Sequence, residues 1–167
     1  VSGGADSLAL MHLANEWCRR EGRELPLAVT VDHGLRSSSA QEARDVHAWA
    51  QQAGIQHTTL KWQHDGPTAN LQSVARQARY SLISNWMRTT AVETLATGHT
   101  ADDQAETFLM RLARGSGLEG LSGMKALAPF PSATQTGLMM ARPLLGFSHA
   151  RLVETLRARN LPWIEDP

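Results

Sequence analysis

The sequence predicts an α/β domain: a parallel sheet with helices on both of its faces. Three observations lead there. Short apolar runs of strand length alternate with longer segments of helical periodicity. Two of those runs pass through glycine straight into a helix, the setting in which α/β sheets bind ligands at the carboxyl ends of their strands. A chain of 167 residues that is 42% hydrophobic is also long enough to bury one substantial core, so one domain over 1–167 is expected.

The elements follow in order. Val1 reads as the stub of a strand, and Asp6 to Arg20 reads as a helix stopped at Gly22, with Leu10, Ala14, Trp17 and Cys18 on one face. Leu25 to Val31 reads as a buried strand. A second helix fits Ala40 to Ala53, where Ala43, Val46, Ala50 and Ala53 share a face and Gly54 ends it. Ile55 to Lys61 is the next strand, and Trp62 to Ala69, with Gly66 and Pro67, is a loop. Leu71, Val74, Ala75, Ala78, Leu82 and Trp86 mark a long third helix. Thr94 to Thr97 is a short strand ending at Gly98. Ala101 to Arg114 is again helical, with Ala105, Phe108, Leu109, Leu112 and Ala113 on its apolar side. Gly115 to Gly137 reads as a long surface excursion, Leu138 to Ala141 as a last edge strand, and Ser148 to Arg159 as a helix capped by Ser148.

Composition excludes several classes. No stretch approaches the roughly 18 uninterrupted apolar residues of a membrane span, so no membrane partner is expected. The chain opens on Val1-Ser2-Gly3-Gly4 without a signal-peptide pattern, and truncation at both ends is the expectation. Cys18 is the single cysteine, which rules out a disulfide or a Cys-x-x-Cys site within these residues and fits a cytoplasmic setting. Its neighbours at helical spacing are apolar, so core packing is expected of it rather than reactivity. Lys plus Arg and Asp plus Glu each total 16, giving zero net charge. That balance argues against broad nonspecific nucleic-acid binding and makes any RNA contact local.

Ser2-Gly3-Gly4-Ala5-Asp6-Ser7 lies between the strand stub and the first helix. Adjacent glycines let backbone N–H groups approach a ligand, and the helix N-terminus adds partial positive charge suited to phosphate. Turn and cap chemistry would use the same residue types. The loop is shorter than the common NTPase loop and lacks its lysine.

A second junction, Gly98-His99-Thr100-Ala101-Asp102-Asp103-Gln104-Ala105-Glu106-Thr107, again leaves a strand and opens a helix. Asp102 and Asp103, with Glu106 three to four residues on, gather acids in its first turns. Helix capping would account for Thr100, Asp102 and Asp103 equally well.

The first loop resembles the Ser-Gly-Gly-x-Asp-Ser loop of the PP-loop, or N-type, ATP pyrophosphatases. The string from Leu95 to Thr107 resembles a signature of one subgroup, the tRNA(Ile)-lysidine synthetases. Further matches follow in order: Val31 to Arg36, the arginine-bearing helix Ala75 to Tyr80, Arg111 to Met124, Arg142 to Leu145, and Trp163 to Pro167. The resemblance thus spans nearly the whole chain and implies a Rossmann-like, adenine nucleotide alpha hydrolase-like catalytic domain, with tRNA-binding C-terminal domains absent from it.

The same resemblance implies ATP as co-substrate, gripped by Ser2, Gly3, Gly4, Ala5, Asp6 and Ser7, and Mg²⁺ held by Asp6 and Asp103. Catalytic roles fall to Asp6, His99, Asp103 and Arg79, whose guanidinium suits phosphate oxygens. Arg76, one turn away, serves either the site or an ion pair. His33 and Arg36, just beyond a strand end, and Arg111 and Arg114, flanking the glycine-rich loop, are candidate substrate contacts. Which of Trp62, Trp86 or Phe130 would stack on a base is left open, most tryptophans being expected in the core.

The implied reaction joins free L-lysine to C2 of cytidine 34 in tRNA(Ile) with a CAU anticodon, through an adenylated base. A homodimer is left open. Two rivals remain: a tRNA 2-thiolation enzyme, many of which carry Lys where this chain has Ala5, and a nonhydrolytic adenine-nucleotide-binding module.

Overall fold

The computed structural model describes residues 1–63, 70–117, 120, 122–131 and 137–165. Most of the loop expected over Trp62 to Ala69, the part from 64 to 69, lies outside them. So do 118, 119, 121 and 132–136 of the expected excursion, and Asp166 and Pro167 of the last motif.

Among the described residues five helices and five strands follow one another, alternating as far as α4: α1 (Ala5–Arg20), β1 (Ala28–Asp32), α2 (Ser39–Gln52), β2 (His57–Lys61), α3 (Leu71–Thr89), β3 (Thr94–Ala96), α4 (Ala101–Ala113), β4 (Leu127–Pro129), β5 (Met139–Ala141) and α5 (His149–Ala158). Among the described residues the strands form a parallel pair, β1 with β2, and a three-stranded group in the order β3-β5-β4. β1–β2 and β3–β5 pair in parallel as expected, and β4 joins β5 antiparallel at the edge of its group. Two expectations are corrected here. Leu138 to Ala141 supplies the middle strand of its group rather than an edge, and the Gly115 to Gly137 stretch contributes β4 instead of being only an excursion.

The layers can be read from two apolar clusters. One gathers Leu8, Ala9 and Met11 of α1, Ala50 of α2, and Leu152 and Leu156 of α5 against Ala28 of β1. The other gathers Ile83 and Met87 of α3 with Phe130 and Met140, and Val31 of β1 packs against it. Residues 28 and 31 of one strand point to opposite faces, so β1 is covered on both sides, as a buried strand in an α/β fold must be. Burying each such Leu or Met side chain contributes roughly 1.5–3 kcal/mol.

Local chemistry explains where the elements begin. β1 starts at Ala28, three residues later than expected, because Pro26 offers no N–H to a ladder; the first bond is Ala28 N–H to Gln56 carbonyl, 2.8 Å. Val1 lies alongside β1: its nitrogen donates to the Val29 carbonyl and its carbonyl accepts from Thr30 Oγ1 at 2.8 Å.

The α2 face of Ala43, Val46 and Ala50 is buried as expected, and so is Cys18. Other faces are not. Trp17 is 51% exposed, α3 buries Ile83, Ser84 and Met87 while Val74 faces outward, and α4 buries none of its residues. Among the described residues no helix is long and apolar enough to cross a membrane.

Candidate active site

The first loop owes its shape to one contact from the far end of the chain. Gly3 has φ +96, and a Cβ there would fall 2.5 Å from Ile164 Cδ1. Only glycine meets both demands. Ile164 N–H donates to the Gly3 carbonyl at 2.9 Å, pinning the turn. Beyond it, Ser7 Oγ donates to the Gly4 carbonyl at 2.9 Å and accepts from Ser2 N–H at 3.1 Å. α1 then starts without a side-chain cap, leaving its first turn to Asp6 alone among acids.

The second loop is built differently. Thr100, buried, is the N-cap of α4 in a capping box with Asp103. Asp103 Oδ2 accepts from Thr100 N–H at 2.7 Å and from Thr100 Oγ1 at 2.9 Å. The capping role weighed for this residue is therefore real, and it engages one carboxylate oxygen.

The two loops abut. A Cβ on Gly98 would sit 3.0 Å from the Asp6 carbonyl carbon and oxygen and 3.1 Å from Ser7 N. These are backbone atoms with no room to yield, so glycine at 98 is what lets the second loop lie against the start of α1.

An open cavity of about 1700 Å³ runs over this junction. Ser2, Gly4, Ala5, Asp6 and Ser7 line it from the first loop, and His99 and Asp103 from the second. Arg79 and Arg76 reach it from α3, His33 and Arg36 from the turn after β1. Gly3 lies just behind, against Ile164. Eight of the expected nucleotide and catalytic residues thus share one cavity, the expected cation ligands Asp6 and Asp103 among them.

Each lining residue is held by its neighbours. Arg76 and Arg79 both stand over the Tyr80 ring, at 5.1 and 5.6 Å from its centre, and Tyr80 packs edge-on against buried Phe130. Phe130 is consequently core and no base-stacking platform, whereas Trp62 and Trp86 line the cavity. His33 Nδ1 accepts from Leu35 N–H at 3.1 Å, and Arg36 pairs with Glu42 at 3.1 Å.

His99 Nδ1 lies 2.8 Å from Thr97 Oγ1. Burial lowers its pKa from the ordinary 6.5; Asp103 opposes that shift, and Arg142, Arg76 and Arg79 reinforce it. The imidazole is therefore neutral at neutral pH.

Arg111 and Arg114 stand apart from this cavity. Arg111 donates to the carbonyls of Gly120 and Ser122 and so clamps the glycine-rich segment. Arg114 is the exposed C-cap of α4. Glu106 is exposed on α4 and lines no part of the cavity.

Two residues escaped the sequence reading. Gln104 holds the same segment as Arg111, accepting from Met124 N–H at 2.6 Å and donating to its carbonyl at 2.9 Å. His149, the first residue of α5, brings Nδ1 to 2.8 Å from Asp6 Oδ1 and donates its backbone N–H to Asp102 Oδ2 at 2.7 Å. The only signal for it was Ser148 as an N-cap, which fixes the residue after it at a helix start.

The donors at the junction suit Mg²⁺. That ion takes one or two carboxylates and fills its shell with phosphate oxygens and water. Asp6, and the Asp103 oxygen outside the capping pair, provide that share; among the described residues no group of three or more His, Cys, Asp or Glu side chains converges as a denser metal cage would require.

Residues 1–167 match the family model of the PP-loop domain. The chain belongs to the PP-loop family. Among curated PP-loop relatives, a protein named tRNA(Ile)-lysidine synthase from Bradyrhizobium sp. (strain BTAi1 / ATCC BAA-1182) is 48% identical over all of this chain and 46% of its own length. One of the same name from Ruegeria pomeroyi is 47% identical over all of this chain and 38% of its own. Another, from Wolbachia pipientis wMel, is 41% identical over 99% and 38%. The chain thus spans about half or less of the length of these relatives. A solved structure, the U34-tRNA thiolase NcsA from Methanococcus maripaludis with its [4Fe-4S] cluster, superposes with a TM-score of 0.78 over the whole chain and 58% of its own, at 18% identity. At that identity the likeness speaks for the fold, which is the α/β architecture expected from the sequence.

Proposed function

We propose that this PP-loop domain is the ATP-using part of a tRNA(Ile)-lysidine synthase, a cytoplasmic ligase that joins free L-lysine to C2 of cytidine 34 in tRNA(Ile) with the CAU anticodon. The observation that carries the reading is the abutment of Gly98 on Asp6 and Ser7, which gives both loops one cavity. The names of the relatives that match across the chain support the substrate.

The reaction balances in two steps. The C2 oxygen of the base attacks the α-phosphorus of ATP, forming an O–P bond and releasing pyrophosphate. The lysine ε-amine then forms a C–N bond at C2, and the oxygen leaves with AMP as the amine gives up a proton.

Each group at the junction has a part. Backbone N–H groups of the Gly3-Gly4 turn and the Ser2 and Ser7 hydroxyls receive the pyrophosphate oxygens at the positive end of α1. Arg79, with Arg76 beside it, faces the negative charge that spreads over the phosphates. His99, neutral and oriented through Thr97, offers a hydrogen bond to phosphate or activated base without adding charge. Asp6 and Asp103 would hold Mg²⁺, which supplies neutralisation of phosphate charge when bound.

A thiolation enzyme is the poorer reading, because the one cysteine, Cys18, is buried in α1 and lines no part of the cavity. The test supplies the full protein with α-labelled ATP, lysine and tRNA(Ile) bearing C34. Labelled AMP with lysine-dependent incorporation into the tRNA is expected; formation of ADP would overturn the reading. Asp6→Ala should lower AMP formation by about 100-fold.

A further inference from the structure

His149 is the one side chain that hydrogen-bonds the carboxylate of Asp6 among the described residues, and it comes from α5, at the opposite end of the chain. An ionised carboxylate only accepts, so the imidazole must carry its proton on Nδ1 and donate it to Oδ1. The residue bearing that ring is fixed from several sides. Its backbone N–H is spent on Asp102, the preceding Phe147 carbonyl accepts from Ala101 N–H at 2.9 Å, and Ser148 caps the helix. Further along α5, Leu152 and Leu156 are buried in the cluster that includes α1, and Arg159 pairs with Glu16 of α1 at 2.5 Å. α5 therefore rides on α1 and carries one donor to α1's first turn.

Without that donor, Asp6 would be a lone carboxylate on an uncapped first turn, free to change rotamer. With it, Oδ1 is engaged and Oδ2 is left for another ligand. Carboxylates that bind metal ions are commonly oriented in this way by a second hydrogen bond.

We propose that His149 is a positioning residue for Asp6, holding one carboxylate oxygen so that the other is presented to a divalent cation at the phosphate loop. The inference rests on the reading of Asp6 as a cation ligand.

The experiment measures Mn²⁺ affinity by electron paramagnetic resonance in the full protein with a saturating nonhydrolysable ATP analogue. Wild type is compared with His149→Ala, His149→Asn and Asp6→Asn. His149→Ala should bind Mn²⁺ about 10-fold more weakly, while metal-free affinity for the analogue stays unchanged. His149→Asn, whose amide N–H can replace Nδ1–H, should recover most of the loss. The proposal is overturned if His149→Ala binds Mn²⁺ as wild type does while Asp6→Asn does not. It is also overturned if His149→Ala binds more tightly, since the imidazole would then be a competitor, or if His149→Asn is as weak as His149→Ala. Should Asp6→Asn also bind normally, the cation role of Asp6 falls with it.

Discussion

α1 and α4 begin alike and end up in opposite situations. Each follows a glycine-bearing loop, starts with acid in its first turn and faces the same cavity. α1 buries seven residues, from Ala5 to Cys18, and has no side-chain cap. α4 buries none, shows Phe108, Leu109, Met110 and Leu112 at 43 to 61% exposure, and is closed at its start by a capping box. The phosphate-loop helix is thus held by packing and leaves its N-terminus open to a ligand. The second helix is held by polar contacts at its ends and spends part of its N-terminal acid on itself.

The sharpest way to break this contrast is to truncate one apolar residue on each helix. Leu8→Ala, at a fully buried position, should cost about 2–5 kcal/mol, whereas Leu109→Ala should change stability by less than about 0.5 kcal/mol. Urea unfolding of the two variants measures the difference, and equal losses would mean that α4 is as well packed as α1.

The contact between the two loops comes next. Gly98→Ala should destabilise by about 1–3 kcal/mol and weaken ATP binding, because its methyl group would press on the Asp6 backbone. Calorimetry with ATP would expose an error if affinity were untouched.

Thr100→Ala, which opens the capping box, should cost about 1 kcal/mol. A thermal melt showing no loss would place the hold on α4 elsewhere.

The smallest effect concerns pH. His99 binds its proton less readily in the folded protein than at its ordinary pKa of 6.5, so the unfolded chain takes up more protons on acidification. The stability it contributes is complete above about pH 6.5 and declines as pH falls through the lowered folded value. His99→Gln should flatten that part of the stability profile, and an unchanged slope would argue that the imidazole is not depressed.

How much of this was legible beforehand follows from the range of each interaction. Helix periodicity and stop signals placed α2 and α5 within a residue or two, since those signals are local. Both loops could be recognised because glycine, a hydroxyl-bearing residue (Ser2 and Ser7, or Thr100) and aspartate sit within a few positions of one another in sequence. Periodicity also marked the apolar side of α4, but a pattern states which face is apolar and not whether anything covers it. The central place of β5 depends on strand order, which no segment encodes alone. Arg111 offered a charge that suited RNA as well as it suited two nearby carbonyls. His149 was hidden because its partner is Asp6, at the far end of the sequence.

The pin between Gly3 and Ile164 gives the domain a schedule. A ribosome makes the phosphate loop among the first of these residues, yet the side chain that fills the space beside Gly3 and the N–H that holds its carbonyl arrive among the last. Contacts so distant in sequence form late and slow folding. A growing chain can therefore contain the whole Ser2 to Ser7 motif before the contact that shapes the turn at Gly3 exists.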